Sequence, residues 1–328
     1  MTVYAVGGEA DTFSLVSGHT FAHETGGGRY DANLSRGAML VTNAVSEIYL
    51  PFGTTLTSAW VHMRVYQETL AAGTSYISFR NAAGDETEYR LNIDASGFIT
   101  VERFKSASYT ALGTTSAAVF QADTLQDVDI FYTRNLTTGI FQIYRNGVLL
   151  LNFSGDSDTE SAIGMIRFEG LTLNTREMNV SQVIVADEST IGWKLATLSP
   201  DGNGAQTAWT NDYTAVDEFS YNSADFIETN ATNQTETFTL ADINAAYSTY
   251  NVKAVAVGAR ASNDSGSAVA DIQAVVRIAG TDYTSANLSL TKDGSEYTKQ
   301  NVWNTNPATT AAWAQAAVNA LEAGVKSV

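Results

Sequence analysis

Apolar and polar residues alternate strictly from Ala59 to Glu68, with Val61, Met63 and Val65 pointing one way and Trp60, His62, Arg64 and Tyr66 the other. That period belongs to a strand with one buried and one solvated face, because same-face residues on a helix recur every three or four positions. The alternation returns at Tyr76–Arg80, at Glu88–Asp94 with Tyr89, Leu91 and Ile93 inward, and at Phe98–Phe104. Asp94-Ala95-Ser96-Gly97 joins the last two as a turn, its glycine free to take positive φ. In Asp127–Phe153, Val128, Ile130 and Tyr132 begin one strand and Ile140–Arg145 make the next. Asn146-Gly147 then supplies a type I′ hairpin turn into Val148–Leu151. Ile163–Phe168 and Asn179–Ala186 add two further strands. Short strands at short spacing, without helical periodicity, predict a β-sandwich of jelly-roll type.

At 328 residues the chain suits two domains of roughly 100 to 200 residues each. Turn formers collect near 187–208, from Asp187-Glu188-Ser189-Thr190 to Ser199-Pro200-Asp201-Gly202-Asn203-Gly204. We therefore expect an all-β chain of two jelly-roll-like β-sandwich domains: residues 1–190, a linker over 191–208, and a second β-sandwich module over 209–328. In that module Val252–Ala261, Val269–Ile278 and Tyr283–Leu290 alternate, and Ala279-Gly280-Thr281-Asp282 is a turn. From Asn306-Pro307 to Gly324 the chain is alanine-rich, with Trp313, Ala317 and Leu321 at helical spacing. This predicts one short C-terminal helix, between about Thr309 and Ala323, docked by Trp313 and capped by Gly324.

Charge and composition exclude several functions. With 18 Lys plus Arg against 35 Asp plus Glu, the formal charge of −17 repels nucleic acid and anionic lipid. No apolar run is long enough to insert into a membrane, and no secretory leader is evident. Absence of cysteine removes disulfides, thiolate metal sites and a thiol nucleophile, which fits cytoplasmic synthesis.

Glycosidases on a jelly-roll scaffold need two carboxylates at fixed spacing on one strand. Glu86 and Glu88 have a suitable parity, but they flank an Ala-Ala-Gly-Asp turn and read as a solvated strand edge. The three histidines, His19, His23 and His62, leave few candidates for a general base. His19 and His23 with Glu24 or Asp31 would make a zinc-type site, yet Gly26-Gly27-Gly28 beside them reads as an exposed loop. Asp156, Asp158 and Glu160 place three carboxylates at alternate positions in a loop, the donor set that Ca²⁺ takes, or else a solvated acidic turn. A sugar ring binds by stacking on an exposed aromatic while amides and carboxylates take its hydroxyls. Trp60, Tyr66 and Tyr76 are the ligand-binding candidates if their face is wet, and ordinary core if it is not. No catalytic residue is assigned, so the chain is expected not to be an enzyme.

The segment Asp127-Val-Asp-Ile-Phe-Tyr-Thr-Arg134, followed by Gly139-Ile-Phe-Gln-Ile-Tyr-Arg-Asn-Gly-Val-Leu149, resembles the paired strands of concanavalin A-like and laminin G-like domains. In that class a strand ending in an acidic residue follows, as Val180–Asp187 does here. The C-terminal half, through Val216-Asp217-Glu218, Val252–Val257, Asn306-Pro-Ala-Thr-Thr-Ala-Ala-Trp313 and Val318–Lys326, resembles structural proteins of tailed bacteriophages. The resemblance implies a virion protein made in the bacterial host cytoplasm: a tail fibre, tail-tip or head decoration component. It implies other virion proteins as partners, homo-oligomerisation as a trimer, and a lectin-like domain displayed for attachment to host surface glycan. A polysaccharide-degrading tail spike and a purely structural decoration protein without ligand are the alternatives.

Overall fold

In the computed structural model the chain divides into two compact units, Met1–Leu195 and Ala196–Val328. The structure describes all residues except 10, 11, 16–21, 24–28, 32, 41–46, 71–73, 170–177, 219–221 and 223, and the side chains of all of these but 15, 22, 23, 39, 40 and 74–76. Among the described residues nearly all regular structure is β, with one short α-helix, as the alternation predicts.

The first unit contains β1 (Val3–Gly7), β2 (Ser14–Leu15), β3 (Ala22–His23), β4 (Ala38–Leu40), β5 (Glu47–Leu56), β6 (Ser58–Gln67), β7 (Thr74–Arg80) and β8 (Thr87–Ile93). It continues with β9 (Ile99–Lys105), β10 (Ser108–Thr114), β11 (Gln126–Thr133), β12 (Gly139–Arg145), β13 (Val148–Gly155), β14 (Ile163–Glu169) and β15 (Met178–Ala186). Among the described residues these form an eight-stranded sheet, β13-β12-β11-β6-β15-β4-β3 with β1 also on β15, and a seven-stranded sheet, β10-β9-β8-β7-β14-β5-β2. Their inward faces make one core. Val61, Met63, Val65, Val128 and Ile130 of the first sheet meet Ile48, Leu50, Ile77, Leu91 and Ile166 of the second, all fully buried. Removing that much apolar surface from water is the main stabilising term.

Both hairpins read from the sequence are present. Asn146 and Gly147 take φ of 49° and 78°, the two positive values a type I′ turn needs between β12 and β13. Between β8 and β9 the Asp94 carboxylate accepts from the N–H groups of Ser96 at 2.8 Å and Phe98 at 3.0 Å, closing the turn at Gly97.

The second unit contains β16 (Pro200–Thr207), β17 (Thr235–Leu240), β18 (Val255–Ser262), β19 (Asp271–Ile278), β20 (Thr281–Thr284), β21 (Leu288–Ser289), β22 (Glu296–Trp303), α1 (Gln315–Asn319) and β23 (Glu322–Ser327). Among the described residues one sheet runs β16-β17-β23-β19-β20 with β21 on β19, and β18 pairs with β22. Trp313, Val318, Leu321 and Ala323 form a core with Val255, Val257, Ile278 and Trp303.

Two sequence expectations differ here. The stretch 191–208 holds β16, because glycines and polar residues suffice on an edge strand that pairs only with β17. The C-terminal helix is five residues long rather than spanning Thr309–Ala323. Trp313 and Leu321 are buried as that reading requires, but they flank a single turn, and the chain then enters β23 between β17 and β19. Gly324 is no helix cap. A Cβ there would lie 1.9 Å from the Glu236 carbonyl oxygen, so its role is close approach between neighbouring strands.

Trp313 also donates its indole N–H to the Trp303 carbonyl at 2.8 Å. Trp313→Ala is expected to cost the second unit about 3–5 kcal/mol in denaturant unfolding, with the first unit's transition unchanged.

Candidate functional site

Register decides which side chains of the seven-stranded sheet face solvent. With Phe79, Tyr89, Leu91, Ile99 and Val101 buried inward, Arg80, Arg90, Asn92, Glu102 and Phe104 project from the outer face. There Arg80, Asn81, Asp85, Glu86, Thr87, Phe104 and Tyr109 line an open groove of about 580 Å³. The Phe104 and Tyr109 rings lie 5.1 Å apart and tilted by 52°, side by side where β9 pairs with β10. The Arg90 guanidinium sits over the Tyr109 ring at 3.6 Å and pairs with Glu102, which also accepts from the Asn92 amide at 2.7 Å. Aromatic faces beside amides and carboxylates are what a sugar ring needs for stacking and for hydroxyl bonding.

The hairpin that carries Tyr109 is strained and clamped. Ser106 and Ala107 take φ of 53° and 58°, which costs non-glycine residues energy that the surroundings must supply. The clamp comes from the loop carboxylates assigned to calcium by the sequence pattern. The Glu160 carboxylate accepts from the Ser106 N–H. Asp156 pairs with Arg103 at 2.6 Å, while Asp158 lies 3.2 Å from both Lys105 and Arg134. The hydrogen bond from Arg103 holds Asp156 below the ordinary carboxylate range. Asp156, Asp158 and Glu160 thus face cations and a backbone donor, and no cluster of three or more metal-ligating side chains occurs among the described residues. His19 and Glu24 lie outside the described residues, as does the side chain of His23. Asp31 sits 3.8 Å from Arg64.

The three aromatic candidates do not converge. Trp60 and Tyr66 lie on the outer face of the eight-stranded sheet, six residues or about 20 Å apart along β6. Trp60 stacks on Phe131 at 5.0 Å and meets Tyr144 at 5.6 Å. Tyr66 is buried, donating to Asp123 at 2.8 Å, and burial raises its pKa above the ordinary tyrosine value. Tyr76 belongs to β7 of the opposite sheet, with its side chain outside the described residues.

Sequence reading also missed why the middle of that outer face is dry. A β-bulge at Gln182, with φ of 52°, turns its amide toward the Leu195 N–H at 3.4 Å. Residues 190–195 then cross the sheet. Thr190 donates to Asp129 at 2.8 Å, Asp129 lies 2.9 Å from His62 Nδ1, and Lys194 reaches Asp127 at 2.6 Å. His62, Asp129 and Thr190 are all buried. The trio is no nucleophile relay, because the hydroxyl bonds the carboxylate instead of the imidazole and no solvent reaches it. Nothing in the local sequence signals this, since His62 and Asp129 meet only through the pairing of β6 with β11. Glu88 departs from its expected solvated edge too. It is fully buried, burial raises its pKa, and it accepts from the Ser161 N–H at 3.0 Å.

No family model and no curated protein sequence matches the chain. Solved structures that align with part of the chain include domain 4 of AbnA, an extracellular arabinanase from Geobacillus stearothermophilus in complex with arabinotriose (13% identity, 60% of this chain and 94% of that one, TM-score 0.38). The carbohydrate-binding module CBM66 from Bacillus subtilis overlaps at 11% identity over 54% of this chain and 96% of its own, with a TM-score of 0.35. Galectin LEC-6 from Caenorhabditis elegans does so at 15% identity over 41% and 88%, with a TM-score of 0.31. None aligns closely enough for its ligand contacts to be carried onto residues here.

Burial pushes the Asp127 carboxyl up, but the Lys194 hydrogen bond and the Arg64 charge outweigh it, so its pKa lies below the ordinary value. A depressed carboxylate stabilises the fold above its unfolded pKa, and that contribution is lost as pH falls through the folded value. Lys194→Met is therefore expected to lower the first unit's stability by roughly 1 kcal/mol at pH 7 and by little at pH 2, measured by urea unfolding at both pH values.

Proposed function

We propose that the first unit is a non-catalytic glycan-binding module, displayed on a tailed-bacteriophage particle and engaging host surface glycan through the groove on the seven-stranded sheet. One observation carries the binding reading: Phe104 and Tyr109 line one open concavity together with Asn81, Asp85, Glu86 and Thr87, so aromatic surface and hydroxyl-binding groups meet there, with Arg90, Asn92 and Glu102 beside them on the same sheet face. A strained turn pinned by Glu160 to hold Tyr109 in place supports it, because strain persists where surroundings over-determine the geometry. Glu86 and Glu88 do not form the carboxylate pair of a hydrolase, since Glu88 is buried against Ser161 while Glu86 lines the groove. The virion reading rests on the resemblance of Asn306–Trp313 and Val318–Lys326 to phage structural proteins, and display as a homotrimer in contact with other virion proteins is proposed with it.

Tyr109 is exposed, so Tyr109→Ala leaves the thermal midpoint within a degree or two while weakening binding to host glycan about tenfold, the scale of one aromatic contact. Titration calorimetry of wild type and variant reads both affinities. Release of reducing ends from that glycan by the wild-type protein would refute the non-catalytic reading, and localisation in an electron-microscopy map of the particle tests the virion assignment.

A further inference from the structure

The groove holds two carboxylates for which the described residues supply no cation. Asp85 is exposed, and its Oδ1 accepts from the Asn81 side-chain amide at 2.7 Å. Glu86, its neighbour in the chain, lines the same concavity, and its carboxylate makes no hydrogen bond or ion pair with a described residue. The two guanidinium groups at hand are already committed. Arg80 donates to the Gly84 carbonyl at 2.9 Å and lies 3.5 Å from Glu169, while Arg90 pairs with Glu102 and covers the Tyr109 ring. Among the described residues the groove thus offers two carboxylates without a cation and no cation without a partner.

We infer that this groove selects neutral, hydroxyl-rich glycans and rejects acidic ones, such as uronates, sialates and sulfated sugars. The inference rests on the groove being the glycan site. Ionised carboxylates accept hydrogen bonds from sugar hydroxyls, and such charge-assisted bonds are stronger than neutral ones. An anionic sugar seated on Tyr109 and Phe104 would instead bring like charge into the concavity that Asp85 and Glu86 line. For charges about 6 Å apart in a water-like dielectric, two such repulsions amount to about tenfold in affinity. The chain's net charge of −17 slows the approach of anionic glycan in the same direction.

Calorimetric titration of the full chain with manno-, galacto- and gluco-oligosaccharides, against oligogalacturonate and oligosialate of equal length, tests this. The best neutral ligand is expected to bind about tenfold or more tightly than the best acidic one. In the Asp85→Asn/Glu86→Gln double variant, which keeps the groove's shape, acidic ligands gain affinity and the gap closes to about threefold or less. The gap narrows likewise in 1 M salt, where screening acts within about 3 Å. Equal or tighter binding of acidic ligands by the wild type, or an unchanged gap in the double variant, overturns the preference while leaving the groove as the site. Binding to neither class, or binding unaffected by Tyr109→Ala, overturns the site and the preference together.

Discussion

Four rings hold the two sheets of the first unit together. Phe79 and Tyr89 from the seven-stranded sheet meet Tyr132 and Phe141 from the eight-stranded one, with Phe79–Tyr132 at 5.5 Å and Tyr89–Phe141 at 5.0 Å, mostly edge to face. Aromatic pairs in this geometry add to the burial of their area. The Tyr89 hydroxyl donates to the Ser157 carbonyl, tying the loop of Asp156 and Asp158 to the core. Because side chains alternate across a strand, committing Tyr89 inward commits Arg90 and Asn92 outward. A slip of one residue would bury a guanidinium and solvate a tyrosine, so the core dictates the composition of the groove.

Where a residue's fate depended on its own strand, the sequence was readable. Val61, Met63 and Val65 are buried as their alternation requires, and Asn146-Gly147 and Ala279-Gly280 turn where they should. Fate decided by a distant segment was not readable. His62 and Tyr66 have the parity of solvent-facing residues yet are covered, the first by a segment more than a hundred positions later in the chain. The groove itself left little trace, because Phe104 meets Tyr109 through a turn of Ser106 and Ala107, residues that carry no turn signal of the Asn-Gly kind. Glycine was ambiguous for a related reason: the sequence shows that Gly324 lacks a side chain, and only the three-strand neighbourhood shows what the missing side chain makes room for.

Charge has two distinct jobs in the first unit. At the end of the sandwich Arg103, Lys105 and Arg134 face Asp156 and Asp158, so opposite charges hold a loop and a strained hairpin in place. On the groove floor the balance is uneven, and acceptors outnumber the cations that could answer them. The first arrangement is architecture and the second is available to a ligand. From sequence alone the two look the same, which is why the alternating carboxylates at 156–160 read either as a Ca²⁺ donor set or as a solvated acidic turn.

Residues 190–195 give the first unit an ending that differs from the end of its last strand. Hydrogen bonding between strands stops at Ala186, yet Thr190 and Lys194 still satisfy Asp129 and Asp127, and the Leu195 carbonyl still receives Ser35. A fragment cut where the sheet stops would retain every ladder bond and deprive the Asp129 and Asp127 carboxylates of Thr190 and Lys194, leaving only His62 and Arg64 to answer them, a penalty that falls on buried charge in particular. The C-terminal limit of the first unit is therefore set by electrostatic completion rather than by strand count, and it falls at Leu195.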